Sequence, residues 1–136
     1  MIYEFEVPGK IKGKARPKVN TYTLRAYTPQ DTKDYEELIR QYFCIKYPKH
    51  VPFESRVKVN IIACFGIPKS TSKKNYELML NNEISPTKKP DIDNIIKIIL
   101  DALNKYAFKD DCQITSINVD KIYSTEEKVI IKIEEY

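Results

Sequence analysis

Polar and apolar positions alternate from the first residues. Ile2-Tyr3-Glu4-Phe5-Glu6-Val7, rich in β-branched and aromatic side chains, predicts a strand that Pro8-Gly9 ends. The next stretch, Lys10 to Tyr27, alternates basic with apolar or small residues and holds Gly13 and Pro17; it fits a ragged hairpin or a long arm. Thr28-Pro29-Gln30-Asp31 opens an amphipathic helix, in which Tyr35, Leu38, Ile39, Tyr42 and Phe43 recur at helical spacing up to Tyr47-Pro48. From Arg56 to Phe65 the chain alternates and then turns continuously apolar, as a strand does on entering a core, and Pro68 stops it. Ser70-Thr71-Ser72 can cap a short helix running through Leu80. After Asp93 a stripe of Ile95, Ile96, Ile99, Leu100, Leu103 and Ala107 predicts a helix to about Tyr106. Ile114–Val119 and Lys128–Ile133 then read as two closing strands joined around Ser124-Thr125-Glu126-Glu127. The order β, α, β, α, α, β, β predicts an α/β chain of the α+β type, a small mixed β-sheet with two to three helices.

Composition narrows the picture. The chain has 136 residues, 42% of them apolar, enough for one core of modest depth, so residues 1–136 are expected to form a single domain. There is no internal repeat. The acidic, alternating start is the opposite of a signal peptide, and the most apolar run, Ile95 to Leu100, is short and broken by Lys97, so no membrane span is expected. Cys44, Cys64 and Cys112 lie far apart with no CxxC pairing, and His50 is the single histidine. A zinc site or a histidine-based nucleophile is therefore disfavoured, and half-buried thiols in a reducing cytoplasm are the expectation.

Charge adds something the pattern does not. The formal charge is only +4, yet no acid falls between Glu6 and Asp31, where Lys10, Lys12, Lys14, Arg16, Lys18 and Arg25 are gathered. Such a field attracts phosphate polyanions, nucleic acid above all. The bland account of the same residues is a solvated strand edge kept from aggregating by its lysines.

Asp91 and Asp93 carry the candidate chemistry. Two carboxylates two residues apart share a side of extended chain but not of a helix. With Pro90 disfavouring helix at Lys89, Asp91 is expected at a helix N-cap and Asp93 in the first turn. Helix capping alone accounts for both acids in that position. A second acidic pair, Asp110-Asp111, follows the helix after a span that lets the chain turn back. If Asp91, Asp93 and one of these converge, their repulsion calls for a hard, oxygen-seeking divalent cation such as Mg²⁺. A metal so placed activates water and neutralises charge on a phosphodiester. Lys97, one turn beyond Asp93, is either an i,i+4 ion-pair partner or a phosphate contact; Asp101, a turn further, is a partner for Lys97 or Lys105.

These residues carry a resemblance. Lys-Pro-Asp-Ile-Asp-Asn-Ile-Ile-Lys at 89–97, Asp101-Ala102-Leu103-Asn104 and Lys109-Asp110-Asp111-Cys112-Gln113-Ile114 closely resemble the RusA-like Holliday junction resolvases, and the likeness continues to Lys121. Upstream, Gly13-Lys14-Ala15-Arg16-Pro17, Tyr27-Thr28-Pro29, Thr32, Tyr35 and Glu36 look like the amino-terminal half of shorter phage-type members, so nearly the whole chain is covered. The stretch from Asp101 to Asp111 is a residue shorter than in the best-studied form, and the segment from Ile67 to Lys89 is longer than in compact members. The resemblance implies a RusA-like fold and a Mg²⁺-dependent endodeoxyribonuclease that resolves four-way junctions as a homodimer. It places the catalytic and metal-binding aspartates at Asp91, Asp93 and Asp111, with Asp110 as an alternative ligand, and the family's important lysine at Lys97. Lys14, Arg16, Lys18, Lys88 and Lys89 are the expected further contacts to branched DNA. The rival reading is a non-catalytic nucleic-acid-binding module that works through the basic arm at residues 10–25.

Overall fold

The computed structural model describes every residue from Met1 to Tyr136. Six strands and three helices follow in order: β1 (Ile2–Pro8), β2 (Lys18–Val19), β3 (Ala26–Tyr27), α1 (Gln30–Lys46), β4 (Val57–Gly66), α2 (Lys73–Leu80), α3 (Ile92–Leu103), β5 (Ile114–Ser124) and β6 (Lys128–Glu135). The expected helices and main strands are all present. The undecided stretch after Gly9 forms an extended strap and then the small β2–β3 hairpin, so both suggested forms occur in sequence. The stripe helix ends at Leu103 rather than near Tyr106, because the chain turns through Lys105, whose φ is +73°.

Four strands make one mixed sheet in the order β1-β6-β4-β5; β4 and β5 are parallel and the other pairings antiparallel. Alternation decides which face is dry. Tyr3, Phe5 and Val7 of β1, Val59, Ile61 and Ala63 of β4, and Val129, Ile131 and Ile133 of β6 point into one core. Helices α1 and α3 close it from above with Ile39, Phe43, Ile95, Ile98, Ile99 and Leu103. The other sheet face carries Glu4, Glu6, Asn118 and Asp120 and stays open.

Two features of this topology place the functional residues. Parallel β4 and β5 are joined through α3, so the helix runs antiparallel to both, with its start near the strands' C-terminal ends. There Lys121 of β5 donates its ammonium to the carbonyl of Lys88 just ahead of α3. Secondly, β5 pairs with β4 alone and forms one of the sheet's two edges, β1 being the other. The segment between β4 and α3 contains α2, whose first turn is capped by the Ser72 hydroxyl accepting from the Asn75 N–H at 3.3 Å.

Candidate active site

Asp91 occupies the N-cap position of α3 with extended backbone (φ −70°, ψ 154°), yet its side chain makes no capping hydrogen bond. Asp93 lies in the first turn, and both are exposed and free of ion pairs. Capping therefore does not account for Asp91: the position is one where a carboxylate would cap, but the oxygens are left available. Lys97 is likewise exposed and forms no salt bridge, so the i,i+4 pair open to it with Asp93 or Asp101 is not made.

Asp101 has a different partner from the two expected. It binds Lys14, whose ammonium sits 3.0 Å from Glu36 Oε1 on α1 and 3.2 Å from Asp101 Oδ2 on α3. Sequence spacing directed attention to helical neighbours, whereas the strap brings Lys14 in from a distance of many residues. The lysine side chain is only 16% exposed. Burial works against its charge, but hydrogen bonds and attraction to the two carboxylates outweigh that and raise its pKa above the ordinary 10.5. Its backbone N–H also donates to Asn94 O at 2.9 Å, and a Cβ on neighbouring Gly13 would stand 2.8 Å from Pro90 Cβ. The strap is thus clasped against the first turn of α3.

The clasp shapes an open cleft of about 640 Å³ lined by Lys10, Lys12, Gly13, Lys14, Arg16, Asp31, Lys89, Pro90, Asp91 and Asn94, with no hydrophobic residue. Of the candidate DNA contacts, Lys14, Arg16 and Lys89 are among these lining residues. Lys10 and Lys12 join them, and their signal was present in the acid-free run. Lys18 projects from the hairpin, while Lys88 lies over the rings of Tyr123 and Phe65 with its ammonium 5.8 and 6.0 Å from their centroids. Asp91 therefore stands on the wall of a cationic groove.

The second acidic pair divides its labour. The Asp110 carboxylate accepts from the Cys112 N–H at 3.2 Å and lies 3.5 Å from Lys105 Nζ, while the Asp110 N–H donates to Gln113 Oε1 at 2.7 Å, a reciprocal cap on a 3₁₀ turn at Asp111–Gln113. The bonds from Cys112 hold the Asp110 carboxyl below its usual range. Gln113 also donates to the carbonyls of Phe53 and Ser55, both at 2.8 Å, and anchors this turn to the loop before β4. Asp111 is exposed with no ion pair, and Cys112, expected to be half-buried, is exposed on the same turn because the turn packs by its backbone and Gln113.

Asp111 does not meet Asp91 and Asp93 within one chain. It precedes β5 beyond the far end of α3, a helix of 12 residues, which at 1.5 Å per residue is about 18 Å long. Accordingly, no three Asp, Glu, His or Cys side chains gather closely enough to hold a metal ion.

With this geometry in place, comparison with known proteins identifies the lineage. The pattern of the family described as endodeoxyribonuclease RusA matches residues 8–134. The chain belongs to the RusA endodeoxyribonuclease family. It is also similar to a Bacillus subtilis (strain 168) protein described as uncharacterized protein YqaN, at 31% identity over 137 residues, covering 97% of this chain and 95% of that one. The three helices and the mixed four-stranded sheet are those of a RusA-family α+β domain. The match begins at Pro8 and so takes in the strap, the cleft and both acidic pairs. Membership in the RusA family implies a DNA-cleaving hydrolase, and no helix is long and apolar enough to cross a membrane.

Proposed function

We propose that this chain is a Mg²⁺-dependent endodeoxyribonuclease that resolves Holliday junctions in cytoplasmic DNA recombination and repair, acting as a homodimer. The observation that carries this is the pair of unengaged carboxylates, Asp91 and Asp93, at the mouth of α3 beside a groove lined by Lys10, Lys12, Lys14, Arg16 and Lys89. Phosphodiester cleavage needs that juxtaposition: cations to bind the strand, and hard oxygen donors at the reacting phosphate.

The donor set fits a divalent cation in chemistry but is divided in space. Asp91 and Asp93 of one protomer would hold it, and Asp111 of the partner subunit would supply the third carboxylate. The unpaired edge of β5 supports this: two such edges placed antiparallel would set the start of each β5 against the end of the other, where Lys121 holds the carbonyl of Lys88, three residues before Asp91. A divalent cation held there would supply an activated water and neutralise charge on the phosphate. The chain's own groups do the rest. Lys10, Lys12, Arg16 and Lys89 bind backbone phosphates and align the strand, and Lys97, left unpaired, contacts a phosphate flanking the cut. Two sites related by a twofold axis make paired nicks.

A synthetic four-way junction and a linear duplex of equal length, each with and without Mg²⁺, test the activity; preferential, metal-dependent nicking of the junction is expected. Asp93→Asn should keep junction binding and abolish cleavage. Equal cutting by that variant would remove Asp93 from the site, and binding without any cleavage by the unaltered chain would favour a non-catalytic nucleic-acid module instead.

A further inference from the structure

Every residue from Arg16 to Tyr27 is exposed, so the β2–β3 hairpin adds nothing to the core. It is nevertheless built rather than loose. The Asn20 side chain accepts from the N–H groups of Tyr22 and Thr23 at 2.8 and 3.1 Å, its own N–H donates to Arg25 O at 2.9 Å, and Leu24 N–H donates to Asn20 O at 2.8 Å. At the tip this turn holds Tyr22 at 96% exposure and Leu24 at 79%, the latter with φ +57°. An ordered turn thus presents an aromatic and an aliphatic side chain to solvent, where both are open to contact.

Charge and position indicate what is contacted. Lys18 and Arg25 flank the tip, no acid lies anywhere in the hairpin, and its two legs rise from Arg16 and Asp31, both of which line the cleft beside Asp91. An aromatic tip between cations is the chemistry that stacks on nucleobases beside a bound phosphate backbone. In intact duplex the bases are stacked on one another and offer no free face, whereas bases at a strand crossing can be unstacked. We infer that the hairpin tip, through Tyr22 and Leu24, contacts unpaired or unstacked bases at a DNA branch point and so contributes selectivity for branched over linear DNA. This rests on the reading of the cleft as a DNA-cleavage site.

The test is equilibrium binding, in EDTA to prevent cleavage, of the full chain to a four-way junction carrying 2-aminopurine at the crossing and to a linear duplex of the same length. The unaltered chain should prefer the junction and change the 2-aminopurine fluorescence. Tyr22→Ala should lose about 5- to 150-fold in junction affinity, the value of one aromatic–base stack, together with the fluorescence change, while duplex affinity stays within about twofold. Tyr22→Phe should behave as the unaltered chain. Because Tyr22 buries nothing, neither variant is expected to unfold. Unchanged junction binding in Tyr22→Ala, an equal loss on duplex, or a change in oligomeric mass, which would make the hairpin a protein contact, overturns the inference. No preference for the junction in the unaltered chain would defeat the branched-DNA reading itself and this inference with it.

Discussion

Replacing Lys14 by methionine removes the cation that joins three separate elements while keeping most of the side chain's length. Its ammonium lies 3.0 Å from Glu36 and 3.2 Å from Asp101, and the three side chains are 16%, 10% and 35% exposed. Removing one partner from a buried ion pair leaves an uncompensated charge and costs about 3–5 kcal/mol. Asp101 is a third exposed and water can screen it, so the lower figure, about 3 kcal/mol, is expected. For a domain of this size that corresponds to a fall in melting temperature of about 10 °C, measured by circular dichroism. The pH dependence has a definite sign. The folded-state pKa of Lys14 is raised above 10.5, so its stabilisation is fully present below that value and is lost as pH rises through the higher folded value. The gap between unaltered chain and variant should therefore be constant between about pH 7 and 9 and close above about pH 10.5. Adding Glu36→Gln to Lys14→Met should recover much of the loss, because the nearly buried charge is gone. A melting temperature within about 2 °C of the unaltered chain, or a gap that widens with pH, would refute the reasoning.

Two further predictions concern the strap and the cleft. Gly13→Ala places a Cβ 2.8 Å from Pro90 Cβ and 3.0 Å from Asn94 Cβ, an overlap that costs about 1–3 kcal/mol or shifts the first turn of α3. Displacing Asp91 by about 1 Å should lower the cleavage rate on the order of 100-fold, with junction affinity changed far less, as single-turnover kinetics will show; a loss confined to affinity would mean the strap does not position the carboxylates. Arg16→Gln should flatten the plot of log affinity against log salt by about 0.9 for each phosphate the variant no longer neutralises, while Lys14→Gln should leave that slope alone because its charge is already held by Glu36 and Asp101; equal slopes for the two variants would place both, or neither, on DNA.

Local rules were enough for much of this molecule. Alternation in Ile2–Val7 and the stripe from Ile95 to Leu103 follow from which side chains leave water at a strand's period of two or a helix's 3.6, and both elements form where that pattern places them. The position of Asp91 at the N-cap was legible for a similar reason: Pro90 constrains the residue before it, and the helical stripe begins just after. The acid-free run likewise announced a cationic surface from composition alone.

Tertiary structure decided what those residues face. Asp91 has a capping residue's backbone and position, but whether its oxygens are engaged depends on side-chain placement that local pattern does not encode. Asp110 and Asp111 are adjacent and chemically identical; the local capping box with Gln113 engages the first and leaves the second free, and the bonds from Gln113 to Phe53 and Ser55 fix that turn in the fold. The pairing of Lys14 with Asp101 joins residues far apart in the chain, where helical spacing directed attention to Lys97 and Lys105. The separation of Asp111 from Asp93 has the same origin: the order of strands makes α3 a crossover between parallel β4 and β5, which carries the chain's two acidic pairs to opposite ends of the helix. Sequence alone determined which side chains could do chemistry, because residue type sets charge and donor character; the path of the backbone through space determined which of them stand together.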